Sequence, residues 1–398
     1  MSSAIETLRG HSEAESRTQP ISGFVKPRFE RVREAFAANF EKGEELGAAC
    51  CVFHRGEKVV DLWGGVRDKA THSPWEENTL ALVHSTTKGV AGLTMALAES
   101  RGLFDYDERV SRYWPEFRQF GKEGITIRQL LSHQAGLFAL DVKIDKKLVR
   151  DLDHLGVVLA RQKPAWRPGD RQAYHGITLG FYESELLRRA DPLHRSLGQY
   201  FREELAKPLD VEFYIGLPEE IPDSRLAPLQ RFSMWSAITS LPFDLAVAAV
   251  NPRSNFRRCL EGSELPEQSD HIYARRIEIP AGGGVGTARA LAKLYGVFAT
   301  GGKELGLRKE TLEKLMAPAV PPAHGFKDEC LKVEVQFSLG FEKPSVHPSA
   351  FGAPGTGGSM AFADPHAKVG YAYVPNRLGP KLQDPRELAI REALYKSI

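Results

Sequence analysis

Cysteine is scarce in this chain: Cys50, Cys51, Cys259 and Cys330 are all there are among 398 residues. So few thiols leave no disulfide framework and point to a reducing compartment. No CxxC pair or Cys/His cluster stands at metal-ligand spacing, and the 12 histidines are scattered without an HExxH, so no metal is expected. Charge of one sign is also missing, because 53 basic residues against 51 acidic ones leave a net +2. With no basic stripe interleaved with aromatics, nucleic acid is not an expected partner. No apolar run is long enough to cross a bilayer, so no membrane is expected either. Met1 to Gln19 is polar and lacks the apolar core of a secretory signal. The expectation is a cytoplasmic protein with a loose leading tail over residues 1–22.

What the chain does contain is a buried helix with chemistry at its entrance. Gly89 to Ala98, GVAGLTMALA, holds one polar side chain, Thr94, so the helix is apolar on nearly every face and belongs inside a domain. Ser85 and Lys88 precede it with helical spacing, which stacks one side chain over the other. A lysine there is costly unless it is paired or has given up its proton. A neutral amine beside a hydroxyl is a base beside a nucleophile. The plain alternative is that Ser85 serves only as an N-cap.

Around this helix the pattern alternates between strand and helix. Pro27 to Lys42 is amphipathic and helical. Ala48 to His54 and Lys58 to Trp63 read as strands of a hairpin closed by Gly64-Gly65. Thr126 caps a short helix reaching His133. Further helices are expected over Asp151–Arg161, Thr178–Ala190, Ser196–Leu205 and Pro242–Val250. Ala281-Gly-Gly-Gly-Val-Gly286 satisfies neither GxGxxG nor GxxxxGK[ST], so its glycines are read as allowing close packing. Thr287 then caps a helix to about Thr300, Val333–Phe341, Ser359–Ala363 and Lys368–Pro375 read as strands, and Arg386–Lys396 closes as a helix. Short connections imply antiparallel pairing. The expected fold class is α/β of the α+β type: one antiparallel sheet made from both chain ends, flanked by helices, with a mostly helical insert. The expected division is a tail over 1–22, an α/β part over 23–85, a helical subdomain over 86–279 and the returning α/β part over 280–398.

Three separated stretches then carry a resemblance. They are Ser85-Thr-Thr-Lys88, with Ile125-Thr-Ile-Arg-Gln-Leu-Leu-Ser-His-Gln-Ala-Gly-Leu137 downstream; Trp166-Arg-Pro-Gly-Asp-Arg-Gln-Ala-Tyr174-His-Gly; and Phe351-Gly-Ala-Pro-Gly-Thr-Gly-Gly-Ser-Met-Ala-Phe-Ala-Asp-Pro365. Together and in this order they resemble the S-x-x-K, Y-x-N and K-T-G boxes of serine β-lactamases and penicillin-binding proteins. The likeness is closest to the β-lactamase-like carboxylesterases, the family VIII esterases. No GxSxG elbow occurs, so a classical α/β-hydrolase is disfavoured.

The resemblance implies Ser85 as nucleophile, with Lys88 and Tyr174 as its acid/base pair. The order in which those two handle the proton is left open, and Tyr174 acts as base only if positive charge lowers its pKa. Backbone N–H groups of Ser85 and Thr356 would form the oxyanion hole. His175, Gly176, Ala353, Gly355 and Gly357 would line the substrate. No cofactor is implied, and the expected partner is a small-molecule ester of short acyl chain. Read without the resemblance, Tyr174 is a loop aromatic packing on Trp166, and the glycines mark a bulged strand. His84, His175 and His133 read as packing histidines, His133 bonding locally at its helix end. The chain departs from the β-lactamase pattern at Gly176, where Asn is usual, and at Ala353, where a cation or ring is usual. Both changes remove groups that would grip an anionic amide and tilt the expectation to neutral esters.

Overall fold

The computed structural model describes residues 21–233, 236, 239–268 and 272–398. The larger sheet is built from both chain ends, as the alternation implied. Its strands are β1 (Ile21–Val25), β2 (Gly47–His54), β3 (Glu57–Asp68), β4 (Ser73–Pro74), β8 (Phe337–Ser338), β9 (Phe341–Glu342), β10 (Phe351–Pro354), β11 (Met360–Asp364) and β12 (Val369–Pro375). They run in the order β1-β3-β2-β12-β11-β10-β9-β8, with β4 on β3, and every pairing is antiparallel. A smaller sheet joins β5 (Ala81–Leu82), β7 (Gly284–Gly286) and β6 (Phe213–Ile215), in that order.

The strand periodicity separates two cores. In β2, Cys51 faces the main core while Cys50 and Val52 face the other side of the sheet. On that second side lie Val32 and Phe36 of helix α1 (Glu30–Glu41) and Ile390 and Leu394 of the closing helix Pro385–Tyr395. The helix Ala288–Ala299, capped by Thr287, lies against β12 and β2 on the main-core face. The approach is close enough that a Cβ on Gly370 would stand 2.2 Å from Gly296 N. All four cysteines are buried free thiols.

Helix α2 (Thr86–Ser100) is buried along its whole length, as its composition requires. It ends before Gly102, which takes a left-handed φ of 77°. Thr126 forms a full capping box with Gln129 over the helix Ile127–Leu131. Thr178–Ala190 has the expected bounds, and Phe243–Val250 starts one residue later than expected.

Several expectations are corrected. Residues 1–20 of the leading tail lie outside the described residues, but Ile21 and Ser22 already belong to β1, paired with β3. Gly64 and Gly65 do not close the β2–β3 hairpin. They lie within β3, where Gly64 pairs with Ala48 and Gly65 with Gly47. The run Val333–Phe341 is not one strand: Leu339 (φ 53°) and Gly340 (φ 89°) turn it into the β8–β9 hairpin. A four-residue helical turn over Val110–Tyr113 gives way to a 3-10 segment starting at Pro115.

Candidate active site

The entrance of α2 supplies two of the expected groups. His84 takes a left-handed φ of 46°, and Ser85 follows with helical dihedrals and no capping hydrogen bond from its side chain. The hydroxyl is therefore free of the N-cap role. It meets Lys88 instead, with Ser85 Oγ 3.1 Å from Lys88 Nζ.

Lys88 is 3% exposed and lies at the meeting of three segments. Its Nζ donates to the Gly176 carbonyl at 2.7 Å and to the Ala281 carbonyl at 2.7 Å. The glycine-rich stretch after Pro280 delivers the second of these. Gly284 N donates to Thr87 Oγ1, and a Cβ on Gly180 would stand 2.4 Å from Ala281 N. Burial pulls the Lys88 amine down to about 7, with Glu183 opposing the shift. A neutral amine has two N–H groups, and the two carbonyls take them. Its lone pair is then left facing Ser85, whose O–H can donate to it.

Tyr174 completes the group from the loop before Thr178–Ala190. Its OH donates to Ser85 Oγ at 2.7 Å, and its ring lies 4.7 Å from Lys88 Nζ. The ring stacks on Phe337 of β8 at 5.7 Å rather than on Trp166, which stacks on Phe138. Burial pushes the Tyr174 phenol up, so the condition for Tyr174 as base, a lowered pKa, is not met. The phenol stays protonated and serves as a donor.

The other expected residues fall into two groups. Thr356 stands exposed on the β10–β11 turn, which is held against the start of α2. Ser359 Oγ bonds the Val83 carbonyl and Thr86 Oγ1, and a Cβ on Gly355 would stand 2.3 Å from Val83 O. Gly357 takes a φ of 89°, and a Cβ there would stand 2.3 Å from the Leu378 side chain. Gly355 and Gly357 are thus explained by close packing that sets the turn. Ala353 is 4% exposed and packs toward Gly89 of α2.

His175 is corrected from a substrate-lining residue to an internal brace. Its Nδ1–H donates to the Ala173 carbonyl at 2.7 Å, and its Nε2 accepts from Leu137 N–H at 3.2 Å. Burial holds it neutral, with a pKa of about 3. His133 reaches across rather than bonding locally: its Nδ1 accepts from His175 N–H at 3.0 Å. Gly176 has no room for a side chain, because a Cβ there would stand 2.3 Å from Cys259 O.

Three contributors were invisible to the sequence reading: the Ala281 carbonyl, the Phe337 ring and Glu183. Only the glycine run after Ala281 hinted at the first. Among the described residues, His347, Asp364 and His366 bring ligand-type atoms within 4.8 Å of one another. The two imidazoles stack face to face at 8°, so their in-plane lone pairs lie in separate parallel planes and do not meet at one point. Asp364 is also occupied by His366 N, Ala367 N and Tyr395 OH. The cluster fits a metal ion poorly.

A sheet made from both chain ends, with a serine, a lysine and a tyrosine gathered at the head of a buried helix, defines a β-lactamase/transpeptidase-like fold. The chain belongs to the Beta-lactamase family, whose model matches residues 32–395. It is 34% identical to the Esterase/beta-lactamase LipL of Mycobacterium tuberculosis over 365 residues, 90% of this chain and 83% of that one. A solved family VIII carboxylesterase superposes with a TM-score of 0.80 at 34% identity, covering 95% of this chain and 100% of that one. A penicillin-binding protein homologue from Caulobacter crescentus gives the same TM-score of 0.80, at 34% identity and with 95% and 100% coverage.

Proposed function

We propose that this hydrolase of the β-lactamase family is a serine carboxylesterase, cleaving short-acyl esters through a Ser85 acyl-enzyme without a cofactor. One observation carries the reading. Ser85 Oγ sits between a phenol donor, Tyr174 OH at 2.7 Å, and an amine at 3.1 Å whose other hydrogen-bond directions are filled by carbonyls.

Ser85 passes its proton to the Lys88 lone pair as Oγ attacks the ester carbonyl carbon. Backbone N–H groups of Ser85 and Thr356 receive the oxyanion, an interaction worth about 3–4 kcal/mol of barrier in comparable sites. Tyr174 donates its proton to the departing alkoxide and recovers one from the Lys88 ammonium. In deacylation a water gives its proton to the same amine–phenol pair, and Ser85 is restored. Protonated Tyr174 and neutral Lys88 fit these roles in that order. The closed space at Gly176 and the small Ala353 leave no amide or cation to hold an anionic lactam, which favours neutral esters. The names of the relatives, an esterase/beta-lactamase and a family VIII carboxylesterase, agree with this choice.

The test is turnover of p-nitrophenyl acetate and butyrate by the purified protein, with Ser85→Ala inactive. Turnover of neither ester refutes the reading. Nitrocefin hydrolysis at rates rivalling ester cleavage would move the assignment to a β-lactamase, and acyl transfer to an added amine or alcohol would move it to an acyltransferase. A fluorophosphonate that leaves Ser85 unmodified would point to a silent binding relative.

A further inference from the structure

Glu183 lies on the helix Thr178–Ala190, two residues before Glu185, and the two acids could hardly be placed more differently. Glu185 bonds Arg188 and Arg189 at 2.9 and 2.7 Å. Glu183 is fully buried, and neither carboxyl oxygen has a hydrogen-bond partner among the described residues. A buried, unpartnered carboxyl weakens a fold that a leucine at the same place would strengthen.

Its position relates it to the catalytic lysine. A Cβ on Gly340 would stand 3.1 Å from Glu183 Oε1 and 3.2 Å from Gly92 Cα, so the carboxyl lies beside Gly92 of α2. Gly92 is four residues beyond Lys88, one turn along the same face of that helix. A Cβ on Gly92 would stand 2.8 Å from the Phe341 ring, so that ring packs against α2 at this level.

We propose that Glu183 is a positioning residue for acyl transfer, its buried carboxyl one helix turn below Lys88 setting how readily the amine takes up the Ser85 proton. This rests on the serine-esterase reading above. Burial pushes the Glu183 carboxyl up and the Lys88 amine down. Each opposes the other's shift, so the two titrate as a unit. When Lys88 gains the proton of Ser85, the carboxyl is the acidic side chain that answers the new ammonium in apolar surroundings. The other titratable groups facing the pair are Tyr106 toward Glu183, and Ser85, Tyr174, Cys259, His84, His133 and His175 toward Lys88. Burial holds the three histidines neutral, His84 at about 4 and His175 at about 3, and raises Tyr106 and Tyr174. None of these histidines or tyrosines titrates where Lys88 does.

The experiment compares wild type, Glu183→Leu and Glu183→Gln in the full-length protein. It reads the pH profile of kcat/KM on p-nitrophenyl butyrate, kcat and KM separately, and Tm. Removing the carboxyl makes Lys88 a weaker base. The acid limb is expected to move down by roughly 0.5–1 unit. The plateau kcat is expected to fall by about tenfold, a fraction of what a whole general base contributes, with KM within about twofold. Glu183→Leu is expected to raise Tm while lowering kcat, and Glu183→Gln to shift the limb in the same direction by less. A purely structural carboxyl would lower Tm and leave the limb in place. Unmoved limbs in both variants overturn the proposal, and if the leucine variant does not fold, the glutamine profile decides. Fluorophosphonate labelling of wild-type Ser85 separates the two failures: a labelled, active enzyme whose profile ignores residue 183 refutes this inference alone, whereas an unlabelled, inactive one refutes the esterase reading as well.

Discussion

The carbonyl of Gly176 accepts a hydrogen bond from Lys88 Nζ at 2.7 Å, and the same residue is pressed so closely by Cys259 that a Cβ would stand 2.3 Å from that residue's carbonyl oxygen. The position that carries a substrate-gripping asparagine in β-lactamases is here a backbone support for Lys88. Its side-chain space belongs to the segment around Cys259, which also packs with Tyr174, Trp166 and Leu260.

Restoring the asparagine should therefore fail to restore lactam recognition. Gly176→Asn forces the Cys259 backbone aside, an overpacking expected to cost about 1–3 kcal/mol, and shifts the carbonyl that holds Lys88. The expected result is a lower Tm and a fall in ester kcat with no gain on nitrocefin. A variant as stable as wild type that hydrolyses nitrocefin faster would show that the space is not filled in solution.

Tyr174→Phe isolates the phenolic proton from the ring. The ring's place is held by stacking on Phe337 and contact with His133, neither of which needs the hydroxyl. Tm should stay within a few degrees, while kcat drops by about 10²–10⁴, the usual contribution of a positioned proton donor. Esters with better leaving groups need less help from a donor, so the loss should shrink from an alkyl ester to a p-nitrophenyl ester. An equal loss on both would assign Tyr174 a different role.

These two residues show where the sequence spoke and where it was silent. Tyr174 could be named only through the resemblance, its loop by itself reading as an aromatic packed on Trp166, whereas Ser85 and Lys88 could be named because their spacing sits at a helix entrance that can be read without knowing the fold. The capping box at Thr126 and the apolar α2 were legible for the same reason. The supports of Lys88 were not, since a carbonyl such as that of Ala281 carries no residue identity. Nor could Glu183 be distinguished from Glu185 before packing showed which one meets arginines. Strand β1 was missed because its central residues are exposed and show no alternation. The β8–β9 turn was missed because Leu339 adopts a left-handed φ that leucine seldom takes.

The sheet and the helix above it offer a check on the fold alone. Gly370→Ala would put a methyl group 2.2 Å from Gly296 N and 2.4 Å from the Ala292 carbonyl, both backbone atoms that no rotamer change can move. A loss of at least about 1–3 kcal/mol is expected from denaturant titration. By contrast Gly56→Ala, in the open β2–β3 turn where nothing lies within 4 Å of a Cβ, suffers only the strain of its positive φ of 82°. If the alanine at position 370 is tolerated as well as that at 56, the helix does not lie on the sheet this closely.

Lys88 makes the last prediction, which concerns stability rather than rate. Its pKa is about 7 in the fold, against about 10.4 for an unfolded chain. Between those values the unfolded state binds a proton that the folded state does not. Stability therefore rises with pH across that window and is lowest, as far as Lys88 is concerned, below its lower edge, where the buried amine is charged. Lys88→Met carries no such penalty. The methionine variant, inactive on esters, should exceed wild type in stability by most near pH 6, and the gap should close as pH approaches 10. Denaturant titrations of both proteins at three or four pH values measure it. Parallel stability curves would mean that Lys88 keeps its proton in the folded protein, and an ammonium there could not accept the proton of Ser85.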